Sequence, residues 1–258
     1  MPSAAGLYYF AHEEQNLKRP PVILIHGAGG THLHWPPQIR RLIGQRIFAL
    51  DLPGHGKSEN MSRQSIAEYA ADVLGFLKAL KLRSAIFVGH SMGGAIALSL
   101  AIQHPVHVLG LGLLGSGARL RVNPSILEDV SNPRTFASAV ETITELSYGS
   151  QFDAHHKELA ARRLAETRLP VLLGDFEACD AFSVLDDLHR VHTPTLILVG
   201  TKDRMTPLSQ SRILHEQISG ADLQIIPEAG HMVMVEQPEL VTTVLENFLN
   251  SIPYRPGQ

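Results

Sequence analysis

The sequence predicts an α/β protein: a mostly parallel sheet with helices on both faces, and a helical cap inserted between two late strands. Three observations predict it. Six short apolar runs, at 22–25, 47–50, 85–88, 109–114, 195–199 and 223–226, are each closed by turn residues. Continuous apolar runs of that length suit strands buried on both faces. Helical stripes lie between most of them, the alternation that builds a parallel sheet. One long stretch, 117–191, holds helical patterns but no convincing buried strand.

Taken in order, Val22-Ile23-Leu24-Ile25 ends at His26-Gly27, and Ile47-Phe48-Ala49-Leu50 ends at Asp51-Leu52-Pro53-Gly54. Before them only Leu7-Tyr8-Tyr9-Phe10 reads as a strand, so a preceding edge strand is expected to be short or missing. Residues 65–80 carry Ile66, Tyr69, Ala70, Val73, Leu74, Leu77 and Leu80, a helical stripe. Ala85-Ile86-Phe87-Val88 stops at Gly89, and the Ala- and Leu-rich segment 92–103 follows as a helix. The run 109–114 is loosened by Gly110 and Gly112; the run 195–199 lies between Pro194 and Gly200. Segments 207–218 and 238–249 read as helices with proline in the first turn. The expected division is a core of residues 1–116 and 192–258, with 117–191 as the cap.

Composition narrows the function. The chain has 258 residues, 44% hydrophobic and 18% charged, with a net charge of -3. That is an ordinary globular balance, with no basic patch for nucleic acid, and it points to a small, mostly neutral partner. The single cysteine, Cys179, rules out an internal disulfide. Met1-Pro2-Ser3-Ala4-Ala5 does not read as a signal peptide, and no apolar run has the length of a membrane span. The expectation is a cytoplasmic protein.

Gly89-His90-Ser91-Met92-Gly93 fits the pattern G-x-S-x-G between an expected strand and an expected helix. Such a turn is sharp and strained; small glycines let neighbouring backbone pass, and the serine hydroxyl stands clear of the sheet. The helix that follows points free N–H groups and its positive dipole end at a reacting carbonyl. A serine hydroxyl needs a base. His231, in Glu228-Ala229-Gly230-His231-Met232, follows the last expected strand and so shares the sheet edge of Ser91. Asp203, just past the run 195–199, falls between them and gives the order Ser, Asp, His. Glu228 is too near His231 to sit on a separate loop, and Asp175, Asp180, Asp186 and Asp187 fall in the expected cap. Two backbone donors would complete an oxyanion site: the Met92 amide, and one from His26-Gly27-Ala28-Gly29-Gly30, with Ala28 favoured over Gly29. Gly27, Gly29 and Met232 are the expected substrate contacts.

Together these segments, with Asp51-Leu52-Pro53-Gly54-His55-Gly56-Lys57-Ser58, resemble the α/β-hydrolase superfamily, in particular its compact esterase and lipase-like members. The resemblance covers residues 7–249. It implies that the 51–58 turn packs below the oxyanion loop, that His55 and His90 pack structurally, and that no cofactor is required. Dehalogenases and epoxide hydrolases of that fold place aspartate where this chain has Ser91.

Other motifs are set aside. Gly56-Lys57-Ser58 lacks the first glycine of a phosphate-binding loop, where Asp51 stands. The pairs His32/His34, His104/His107, His155/His156 and His189/His192 lack partners at metal-ligand spacing and read as surface residues. Cys179 reads as a small apolar filler. The expected activity is two-step acyl transfer on carboxylic esters of short to medium acyl chains. Met92, Met232, Met234 and apolar cap residues would supply an apolar pocket. Cleavage of a carbon–carbon bond in a dicarbonyl compound, or a related lyase step, is the alternative with the same triad. A ligand receptor on a hydrolase scaffold is the alternative outside enzymes.

Overall fold

The computed structural model describes residues 2–13, 19–58 and 61–253; Met1, the first residue of the stretch read for a signal peptide, lies outside them. Among the described residues the strands are β1 (Ser3–Ala4), β2 (Leu7–His12), β3 (Pro21–Ile25), β4 (Arg46–Leu50), β5 (Ala85–His90), β6 (Val108–Leu114), β7 (Thr195–Gly200) and β8 (Asp222–Ile226). They form one sheet in the order β1-β2-β4-β3-β5-β6-β7-β8. β1 and β2 pair antiparallel with each other, and β2 pairs antiparallel with β4; every pairing from β4 to β8 is parallel. The expected fold class is the observed one. The edge strand β1 is present, only two residues long.

The helices are α1 (Pro37–Arg40), α2 (Ile66–Ala79), α3 (Met92–Gln103), α4 (Pro124–Ser131), α5 (Phe136–Ser147), α6 (Ala154–Ala165), α7 (Leu169–Ala181), α8 (Leu208–Gln217), α9 (Val233–Glu236) and α10 (Pro238–Ser251). None is long and apolar enough to cross a membrane.

The period-2 alternation of the strands divides the core between the sheet's two faces. Ile23, Ile25, Phe48, Leu50, Phe87 and Ile197 pack on one face with α2, α3 and Leu214 of α8. Val22, Leu24, Ile47, Ala49, Val88 and Leu198 pack on the other with Ile39 of α1 and Val241 and Leu245 of α10. Helix α3 is apolar all round because it is covered all round: every residue from Met92 to Ile102 is buried. The strand β8 departs from the expectation of burial on both faces. It is the sheet edge, with Asp222 exposed and Ile225 41% exposed.

Helices α4 to α7 and the 3-10 turn Leu185–Arg190 all lie between β6 and β7. They hold a small apolar cluster of their own, around Ile126, Val130, Ile143, Leu172 and Phe176. Arg119 and Ser183 form an isolated antiparallel bridge, and the Val184 amide donates to the Ala118 carbonyl at 2.8 Å, so the segment leaves and rejoins the core side by side. Its last helix is not detached from the core. Ala178 and Cys179 belong to the main cluster beside α3.

Candidate functional site

Ser91 caps the N-terminus of α3 with φ 53° and ψ -116°, a backbone conformation that non-glycine residues rarely adopt and that stores roughly 1–3 kcal/mol of strain. The surroundings hold it there. Its N–H donates to the Leu114 carbonyl at 2.9 Å, and the buried Ser116 hydroxyl donates to its carbonyl at 2.9 Å. The turn also needs Gly93, because a Cβ at that position would come within 2.2 Å of the Ile25 carbonyl oxygen.

Asp203 follows β7 and His231 follows β8, so parallel strands deliver both to the edge where β5 delivers Ser91. The two are buried and joined by a hydrogen bond of 3.0 Å between His231 Nδ1 and Asp203 Oδ2. The Asp203 carboxylate also accepts the Met205 and Thr206 amides, at 2.9 and 2.7 Å, and the Thr206 hydroxyl at 2.8 Å. Burial pushes this carboxyl up, but the His231 charge and hydrogen bond and the Thr206 donors outweigh it and hold the group below the ordinary carboxylate value. With Nδ1 engaged on a carboxylate, Nε2 is the imidazole nitrogen left to face the cavity. Gly115 leaves room for the pair: its φ is 50°, and a Cβ there would stand 3.1 Å from His231 Nδ1 and 3.2 Å from Asp203 Oδ2.

Ser91 and His231 line one cavity of about 70 Å³ together with Gly27, Ala28, His34, His90, Met205 and Met232. Residues of α5, α6 and α7, among them Ile143, Leu164 and Phe176, close its other side. The Ser91 hydroxyl forms no hydrogen bond with His231 here; the structure brings the two to one cavity and leaves that contact open. Neither the Ala28 nor the Met92 amide has a hydrogen-bond partner among the described residues, whereas the Gly29 amide is bound to Asp175 Oδ2 at 2.8 Å. Gly27 and Met232 line the cavity, and Gly29 lines a neighbouring one. Met92 and Met234 do not line it. Both side chains are fully buried in the core, which corrects the expectation that they furnish the pocket.

The family model described as the alpha/beta hydrolase family matches residues 22–244. The chain belongs to that family. The 3-oxoadipate enol-lactonase 1 of Acinetobacter baylyi is 28% identical over 244 residues, covering 90% of each chain. The 2-hydroxymuconate semialdehyde hydrolase of Pseudomonas putida is 30% identical over 249 residues, 89% of this chain and 86% of that one. A solved thermophilic esterase superposes with a TM-score of 0.81 at 31% identity, over 95% of this chain and 98% of that one. Hydrolysis is thus the class of chemistry this α/β hydrolase performs.

Buried histidines brace the site of this hydrolase. His26 Nε2 accepts the Leu52 amide at 3.0 Å while Nδ1 donates to the Gly27 carbonyl at 2.8 Å, a pattern only the neutral ring can make. Burial, with His55 nearby, pushes its pKa down to about 3. His34, only half-buried on the cavity wall, is pushed down to about 4, by desolvation and then by the charge of Arg163. His55 is the opposite case. Both its nitrogens donate, one to Pro53 O at 3.0 Å and one to Asp175 Oδ2 at 2.8 Å, and the Asp175 carboxylate raises its pKa against the burial that would lower it. Asp51 ties the same turn to the glycine-rich loop, accepting the His32 amide and ring at 2.7 and 2.8 Å and the Lys57 amide at 2.9 Å.

These shifts set a pH dependence. His26 and His34 are neutral in the fold but protonate in the unfolded chain below about pH 6.5, so each costs up to about 1.4 kcal/mol of stability per pH unit as pH falls toward 4. The lowered Asp203 adds to the loss as pH falls below its ordinary value. His55 has the reverse sign: its contribution is full below pH ~6.5 and is lost as pH rises through its raised pKa. The urea midpoint is therefore expected to fall between pH 7 and pH 5, and the His26→Gln variant to show a shallower fall. A flat profile over that interval contradicts the neutral-histidine assignment.

Several contacts at the site were not legible in the sequence. Thr206, three residues beyond Asp203, lies 3.2 Å from His231 Nδ1 as well as on the carboxylate. His90 Nε2 donates to the His231 carbonyl at 3.0 Å, and its Nδ1 is a buried atom with no partner among the described residues. The His231 and Met232 amides both donate to the Ser147 carbonyl, so the end of α5 is tied to the His231 loop. Glu236 adds a second tie, accepting the Gly230 and Gly149 amides at 2.9 Å each. Of the histidines read as surface residues, His155, His156, His189 and His192 are exposed, but His32 is buried on Asp51 and His34 lines the cavity. No metal-holding cluster of His, Cys, Asp or Glu occurs among the described residues. Cys179 is buried, and burial pushes its thiol far up, away from nucleophilic character.

Proposed function

We propose that this α/β hydrolase cleaves carboxylic esters of short to medium acyl chains, with Ser91 as nucleophile, His231 as general base and Asp203 as the acid that orients it. The observation that carries the reading is the buried Asp203–His231 pair opening on the same cavity as a serine in a strained turn. Ser91 Oγ attacks the ester carbonyl carbon while His231 Nε2 takes its proton. The carbonyl oxygen becomes the oxyanion and is held by the Ala28 and Met92 amides, which have no other partner among the described residues. His231 then returns the proton to the leaving alkoxide, and the alcohol departs. Water repeats the sequence on the acyl-enzyme, releasing the acid and restoring Ser91. Asp203 keeps the proton on Nδ1 and stabilises the imidazolium as it forms.

The cavity immediately around Ser91 is only about 70 Å³, well below an ordinary ligand pocket, which favours a short acyl chain. Residues 117–191 act as the cap in this reading, since Ile143, Leu164 and Phe176 face Ser91 across the cavity. A second reading is hydrolysis of a carbon–carbon bond next to a carbonyl. It rests on the similarity to the 2-hydroxymuconate semialdehyde hydrolase and uses the same three side chains. A series of p-nitrophenyl esters from acetyl to octanoyl tests the proposal. Multiple turnovers are expected, with kcat/KM highest at the short end, and Phe176→Ala is expected to move the optimum to longer chains. A single slow acylation without turnover favours the receptor alternative, and turnover of dicarbonyl compounds but not of esters favours the second reading.

A further inference from the structure

Beside the cavity that holds Ser91 lie two more. One, of about 300 Å³, has largely apolar walls that include Phe152, Leu159 and Val235. It shares His34, Tyr148, Ala160 and Met232 with the Ser91 cavity, so it continues that cavity outward. The other, of about 520 Å³, is lined by Lys57, Arg163 and Arg168. These two share Leu33, His34 and Arg163. Arg163 thus stands where the apolar passage from Ser91 meets the basic cavity, and its charge is felt at both His34 and Tyr148.

The cations there are available. The Arg163 guanidinium makes no hydrogen bond, ion pair or ring contact among the described residues, the residue's only bonds outside the regular helix being through its backbone carbonyl. Among the described residues the Lys57 ammonium lies 4.8 Å from the centre of the Tyr8 ring, the Arg168 guanidinium reaches the Gly54 carbonyl at 3.4 Å, and neither meets a carboxylate. Of the acids on the wall, Asp51 is already occupied by His32 and the Lys57 amide, which leaves Glu166. Three cations against one open acid make this groove positive on a chain whose net charge is -3. Grooves of one sign concentrate ligands of the other. A guanidinium matches a carboxylate in a two-pronged hydrogen bond, and the nearby Glu166 charge suits a monoanion better than a dianion.

We propose that the substrate is an ester bearing a carboxylate several bonds from the scissile carbonyl, and that Arg163, backed by Lys57 and Arg168, binds that carboxylate. The inference rests on the ester-hydrolase reading and adds to it a charged, remote recognition site. Binding the far end holds the scissile bond over Ser91.

Two matched pairs of esters test it, one with the acid on each side of the bond: p-nitrophenyl hydrogen adipate against its methyl ester, and 4-acetoxybenzoate against methyl 4-acetoxybenzoate. At an ionic strength of ~10 mM, where surface charges are weakly screened, the acid of at least one pair is expected to exceed its neutral twin about tenfold in kcat/KM. In Arg163→Gln that ratio is expected to fall about two- to fivefold, the worth of one exposed charge contact. Arg163 is exposed and its side chain holds nothing in place, so the variant keeps the fold. If the neutral twins are hydrolysed and neither acid is favoured, the inference is overturned and the ester reading stands. If an acid is favoured but the ratio survives in both Arg163→Gln and Arg163→Gln/Arg168→Gln, the site is wrong. If no ester of either pair is turned over, the ester reading fails and takes the inference with it.

Discussion

Ser91→Ala is expected to lower ester kcat by about five to six orders of magnitude, as removing the nucleophile of a triad does. The variant loses one oxygen and should fold, because the hydroxyl forms no hydrogen bond among the described residues. It also relieves nothing of the turn: Ser116, Leu114 and the close approach of Gly93 to Ile25 still hold φ at a positive value. Residual activity roughly 10³–10⁴-fold above the uncatalysed rate is the expected result, because the oxyanion donors remain. A folded variant with kcat within tenfold of the parent contradicts the role of Ser91.

Asp203→Asn is expected to cost about 10⁴ in kcat with little change in KM, by the tautomer argument. An asparagine oxygen can still accept the Met205 and Thr206 amides, so the turn survives. The amide nitrogen then faces His231 Nδ1 as a donor. The imidazole responds by moving its proton to Nε2, the nitrogen that must accept from Ser91. Glu228→Gln provides the contrast. Glu228 is exposed and its neighbouring contacts are to Thr201 and Lys202, so its loss is expected to be nearly silent. Strong loss in Glu228→Gln with a mild Asp203→Asn would reverse the assignment.

How much of this was legible in the sequence follows from what each signal can carry. The buried strands were legible because continuous apolar runs end at turns, and α3 because an all-apolar helix can only be buried. β1 was faint because two residues have no period. β8 was found but misjudged, since apolar character does not say whether a strand has a neighbour on its far side. Ser91, Asp203 and His231 could be picked out because each stands directly after a strand, and parallel strands bring such positions to one edge. Methionine type says nothing of direction, so Met92 and Met234 were placed in the pocket when they lie in the core.

Contacts between distant segments left no local trace. His55 meets Asp175 across 120 residues, and the Gly29 amide meets the same carboxylate across 146. These decide which amides remain open toward the cavity, and they could not be read from spacing. The basic groove left no local trace either: Lys57 is brought to Arg163 and Arg168 from a segment more than a hundred residues away, on a chain whose net charge is -3.

Fluorophosphonate labelling followed by peptide mapping tests the central claim most directly. The account predicts one adduct per chain, on Ser91, complete loss of ester turnover when labelling is complete, and no labelling in Ser91→Ala. Iodoacetamide should leave turnover intact, because Cys179 is buried with its thiol protonated. An active enzyme that takes no fluorophosphonate, or takes it on another residue, would contradict the proposed mechanism, as would one that iodoacetamide inactivates through Cys179.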